Sequence, residues 1–170
     1  MGTVVARQLV PGATVAEAEA LWLDRERWPS FVDGFGTMAI YHGDWPDVGS
    51  RTVWDSLRNG RGRVAERVLE YEPGVTQLVE VEDPSLYGTQ RVRFAAAEGG
   101  CEISLELGYE LKRGGPRVAV ALTDALFVRR AVGDALRRTL RRFAVELRAD
   151  REMADHTSRP RPLPPNDKES

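Results

Sequence analysis

The chain has 170 residues, 42% of them hydrophobic and 29% charged, with a formal net charge of -2. That is the size of one globular domain able to bury a sizeable core, and a charge so close to zero gives no general pull toward nucleic acid or an acidic membrane surface. A lone cysteine, Cys101, excludes an internal disulfide and a cysteine-based zinc cluster. No apolar run approaches the ~18 residues of a membrane span and the N-terminus lacks a signal-like apolar core, so no transmembrane segment and a cytoplasmic location are the expectation.

Thr3 to Val10 is a β-branched segment closed by Pro11-Gly12 and predicts a first strand. Thr14 with Glu17 three residues on forms a capping box, and Val15, Ala18, Leu21 and Trp22 supply the apolar face of a short helix. Asp24 to Trp28 adds a further turn before Pro29, giving two small helices joined by a bend. After Gly34 and Gly36 the period changes to that of strands. Met38 to His42, Arg51 to Leu57, Arg61 to Tyr71, Val75 to Glu82, Gln90 to Ala97 and Cys101 to Leu111 are six such segments, separated by short turns such as Glu72-Pro73-Gly74 and Asp83-Pro84-Ser85. Short connections join antiparallel neighbours, so the sheet is a meander. The last strand alternates most cleanly, with Ile103, Leu105, Leu107, Tyr109 and Leu111 on one face, the mark of a sheet wet on one side only.

From about Arg117 to Arg151 the spacing becomes helical. Leu122, Leu126, Val132, Leu136, Leu140, Phe143 and Leu147 fall on one stripe, and most of the arginines lie off it. Such a helix spans roughly 45 to 50 Å and needs a broad apolar surface beneath it. Gly133 inside the stripe fits either a groove left open for a guest or close packing on the sheet. The Pro-rich end around Pro160, Pro162 and Pro164 predicts a disordered tail over residues 153–170, after one domain covering residues 1–152.

The order strand, two short helices, six-strand meander and long helix resembles the START-like or Bet v 1-like superfamily (SRPBCC), the polyketide cyclase/dehydrase and lipid transport group. The resemblance covers residues 3 to about 150. It lies in Leu21-Trp22, Asp24 and Trp28-Pro29-Ser30-Phe31-Val32 after the first helix, in Val48-Gly49-Ser50, and in Glu66-Arg67-Val68-Leu69-Glu70-Tyr71-Glu72-Pro73-Gly74. It implies an α+β helix-grip fold, a curved seven-stranded antiparallel sheet wrapped around the long C-terminal helix, with a cavity for an apolar molecule between them.

Arg67 matches an arginine that polyketide aromatase/cyclases carry in a similar strand motif, where a guanidinium can polarise a carbonyl or hold an enolate. Those enzymes have a tryptophan four residues earlier, and here the position is Arg63. One register turns Arg63 and Arg67 inward, and the other turns Val64 and Val68 inward and leaves both arginines in water. Arg67 and Tyr109 are the candidate catalytic groups. Trp54, Phe94, Leu107, Leu126 and Gly133 join them as candidate ligand contacts, since the inner face of such a sheet is also the pocket wall. Trp28 is placed at one end of the cavity or in the helix pair, and Trp45 in a loop near its mouth. His42 and His156 are the only histidines, so no metal centre and no cofactor are expected.

Three functions fit. The first is a module that binds a small hydrophobic molecule, lipid-like or polyketide-like. The second is a polyketide cyclase/aromatase that closes and dehydrates a keto chain in the same cavity. The third is a regulator that docks a partner on the basic face of the last helix. A monomer or a homodimer is compatible with each.

Overall fold

The computed structural model describes residues 1–58, 60–112 and 125–158. The alternating segments pair as seven antiparallel strands: β1 (Gly2–Pro11), β2 (Phe35–His42), β3 (Arg51–Ser56), β4 (Arg63–Glu72), β5 (Thr76–Glu82), β6 (Leu86–Ala97) and β7 (Gly100–Leu111). Their order is β1-β7-β6-β5-β4-β3-β2, so the first strand joins the last and the rest form a meander. β6 starts four residues before the expected Gln90. The Asp83 carboxylate accepts from the amides of Ser85 and Leu86 and closes the turn early, which returns Leu86 and Tyr87 to the strand. Gly88 inside β6 has the look of a breaker in the sequence. It is needed because a Cβ there would collide with the Gly108 carbonyl of β7, which allows the sheet to curl.

Between β1 and β2 the capping box forms as expected, with Glu17 N donating to Thr14 Oγ1 at 3.2 Å and Thr14 N to Glu17 Oε2 at 2.7 Å. It starts α1 (Val15–Leu23). A 3-10 turn, Arg25–Arg27, leads into α2 (Trp28–Phe31), with Pro29 in its first turn. The bend therefore precedes Pro29 without being caused by it, since proline suits the first helical turn.

The last helix, α3 (Ala125–Ser158), lies across the concave face of the sheet. It outlasts the expected end at Arg151, so residues 153–158 are helical and not the start of a tail. No glycine or proline intervenes before Pro160, and Thr157 Oγ1 donates to the Met153 carbonyl at 2.9 Å. Residues 117–124, the Pro-rich end and the side chain of Leu126 fall outside the described residues. Leu140, Phe143, Ala144 and Leu147 are buried against α1, α2 and the sheet. Phe143 meets Phe31 and Trp22 at centroid distances of 5.2 and 5.8 Å.

The pairing registers arrange the inner face of the sheet in transverse rows. Gln77, Val92 and Leu105 form one, Val79, Gln90 and Leu107 the next, and Thr52, Glu66, Val81, Gly88 and Tyr109 a third. Successive rows lie two residues, or roughly 7 Å, apart along the strands. These rows set where polar groups stand in the space beneath the helix.

Candidate functional site

Where the first half of α3 leaves the sheet, a cavity of about 610 Å³ opens. Val128, Ala131, Val132, Ala135 and Leu136 roof it, and Val79, Leu86, Leu105 and Leu107 form its floor. Trp22 lines it too, with its ring against Phe31 and Phe143. Four tryptophans line it, and three settle their indole N–H on the protein. Trp28 donates to the Trp22 carbonyl at 2.9 Å, Trp45 to the Leu23 carbonyl at 3.2 Å, and Trp54 to Glu66 Oε1 at 3.3 Å. Ring surface is thereby left for an apolar guest. At the β3–β4 and β5–β6 connections the lining passes to Gly60, Arg61 and Ser85, with Leu111 of β7 and the exposed Phe127 of α3 beside them.

A latch ties the α2–β2 connection to the helix beside this space. Both carboxylate oxygens of Asp33 accept from Arg138, at 3.0 and 2.9 Å, Arg142 lies 3.3 Å away, and the Asp33 amide donates to Thr139 Oγ1. The Asp33 carboxylate in turn raises the Arg138 pKa through its hydrogen bonds. Part of the basic face of α3 is thus occupied within the domain. Arg138 and Arg142 hold Asp33, Arg151 holds Glu17, and Arg137 holds Asp134.

Arg67, the leading catalytic candidate, is not in the cavity. Val64, Glu66 and Val68 face inward, so Arg67 faces outward, with Nη2 at 2.8 Å from Glu80 and a side chain 41% exposed. Arg63 shares that outer face and pairs with Asp55 at 2.8 Å. The register that leaves both arginines in water is the one adopted, because two unpaired guanidinium groups in an apolar pocket would be far costlier than two pairs in solvent. Gly133 does not border the open space either. A Cβ there would lie 3.3 Å from Val4 Cγ1, so the glycine serves close approach of α3 to β1. Phe94 is buried beside Ile103, beyond the Gln77 row, and belongs to the core. Tyr109 is on the inner face but packs its ring on Gly2, away from the cavity lining, and burial pushes its hydroxyl pKa up. Trp54 and Leu107 do line the cavity, as do Trp28 and Trp45. His42 is exposed at the end of β2.

The polar groups that do line the cavity are others. Glu66 accepts from Trp54 Nε1 and from Thr52 Oγ1, each at 3.3 Å, and burial pushes its carboxyl pKa up against the opposing pull of those donors and of Arg61. Arg61 pairs with Asp83 at 2.7 Å, and the Asp83 side chain is 1% exposed. Gln77 and Gln90 project from the β5 and β6 rows. The signal for Glu66 was in the sequence. Val64 and Val68 stand two residues either side of it, so whichever face those valines take, Glu66 takes too. Arg61 and Asp83 come from connections, where no period places a side chain.

Known proteins bear on this geometry at the level of fold and family. A protein of Thermus thermophilus superposes with a TM-score of 0.71 at 15% identity, covering 88% of this chain and 99% of its own. A START superfamily protein from Mycobacterium smegmatis gives 0.69 at 13% identity, over 86% and 97%. The di-domain ARO/CYC StfQ from the steffimycin biosynthetic pathway gives 0.68 at 14% identity, over 89% of this chain and 52% of StfQ. No curated protein matches the chain in sequence. Among the described residues no helix is long and apolar enough to cross a membrane, and no group of histidine, cysteine or acidic side chains is arranged to hold a metal ion. The family model for polyketide cyclase/dehydrase and lipid transport proteins matches residues 1–148, and the chain belongs to that family.

Proposed function

We propose that the chain binds a small, largely apolar molecule between sheet and helix. The observation that carries this is the 610 Å³ space itself, walled by tryptophan, leucine and valine side chains. Its volume lies within the roughly 300–1,000 Å³ of small-molecule sites, and a guest of matching size would add dispersion contacts along the whole lining. Leu107 stands mid-floor, so Leu107→Trp should fill the space from the sheet side. A titration with a solvatochromic apolar dye should show affinity more than tenfold weaker in the variant, with an unchanged circular dichroism spectrum. Equal affinity in both proteins would place the dye elsewhere and overturn the reading.

A second reading, cyclisation and dehydration of a keto chain, draws on one observation. Glu66 is a half-buried carboxyl on the cavity wall, held toward its neutral form beside Arg61, and so able to donate a proton to a carbonyl oxygen as a carbon–carbon bond closes. Glu66→Gln would then lose turnover of a keto-chain substrate by a hundredfold or more while keeping its affinity. Comparable turnover in the two proteins would remove Glu66 from the chemistry.

A further inference from the structure

Two donors bordering the cavity have no hydrogen-bond partner among the described residues: Arg61 Nη2 and Gln77 Nε2. Gln77 is 3% exposed, and a buried amide N–H without an acceptor is a cost that folded proteins rarely retain without use. Its terminal torsion is soft, so the amide can turn toward a guest. The two donors stand well apart. Glu66, next to Arg61, pairs with Val81, and Gln77 lies four residues back along the same strand, roughly 13 Å away. Gln90, on the row between them, continues a polar track along the sheet side of the cavity, opposite the apolar roof of α3.

Charge narrows the guest further. Arg61 and Asp83 cancel, and burial favours the neutral form of Glu66, so the charge of a carboxylate would enter a desolvated site with no free countercharge to balance it. An ammonium would bring donors to a place where the unmet groups are themselves donors. The geometry points to a two-point reader: Arg61 with Glu66, beside the β3–β4 and β5–β6 connections, and Gln77, two rows away along the sheet, meet two oxygen acceptors of one elongated, uncharged, largely apolar ligand. This rests on the reading of the cavity as an apolar binding site and adds the placement of the ligand's polar atoms.

The test displaces the apolar dye with three probes of one chain length: a monoketone, a diketone whose carbonyls lie about 13 Å apart when extended, and the matching dicarboxylate. The diketone should bind about tenfold tighter than the monoketone, as expected for one further buried hydrogen bond. Gln77→Leu should erase that tenfold and leave the monoketone within twofold, while the dicarboxylate should fail to compete in either protein. Equal binding of the two ketones by the parent, an equal loss of both in Gln77→Leu, or competition by the dicarboxylate would each overturn the proposal. If the dye binds and neither ketone displaces it, the two-point reader falls and the apolar site stands. If the dye does not bind, both fall.

Discussion

The two halves of α3 carry the same apolar stripe and do different work. From Leu140 to Leu147 the stripe is buried in solid packing, with Leu140 and Phe143 fully inaccessible. From Val128 to Leu136 the same spacing roofs an open cavity. A hydrophobic period therefore specifies which face of a helix turns inward and leaves open whether that face meets other side chains or a void. What separates the halves is the partner beneath. Trp22, Phe31 and Phe143 interlock under the second half, whereas the floor below the first is set back.

The largest effect should come from the packed half. Phe143→Ala removes the centre of the aromatic cluster and should cost about 3–5 kcal/mol in denaturant unfolding. A loss below about 1 kcal/mol would mean that the second half is as loosely filled as the first. Gly133→Leu comes next. Its side chain must displace Val4 on β1, so a loss of roughly 1–3 kcal/mol is expected without a selective effect on dye uptake. Selective loss of uptake with full stability would return Gly133 to the cavity wall. Ala135→Leu enters the open half and should shift stability by less than about 1 kcal/mol, because the added volume occupies space already present. The same variant should weaken dye binding severalfold.

Smaller still is the contrast between neighbours on β4. Burial raises the Glu66 pKa in the folded protein, so the parent is relatively most stable below the ordinary carboxylate range. It loses stability as pH climbs from there toward the raised folded value, because the unfolded chain releases that proton first. Glu66→Gln should therefore gain on the parent over that interval, and a difference that does not vary with pH would show that Glu66 is not desolvated. Arg67→Met, one residue on, removes only a half-exposed ion pair and should change stability by less than about 1 kcal/mol and dye affinity not at all.

Much of the fold was legible in the sequence. The alternation of β7, the turn chemistry, the Thr14–Glu17 box and the helical stripe each recur in the structure, because each is fixed by contacts within a few residues. The site was legible only in part. Trp54 and Leu107 face the cavity because every large apolar residue on the inner face must meet either core or void. The sequence left two registers open for Arg67, one residue of register being a change of face on a strand, and the one adopted turns its neighbour Glu66 inward instead. Arg61 and Asp83 are brought together on the cavity lining by two separate connections, a juxtaposition only the sheet order creates. Gly133 could not be resolved from the sequence, since a small residue in an apolar stripe suits both close approach and open space.

Native mass spectrometry of freshly purified protein, run beside Leu107→Trp, tests the central claim most directly. An apolar adduct retained by the parent and depleted at least tenfold in the variant is the expected result. An adduct held equally by both would contradict a ligand seated between the sheet and the first half of α3.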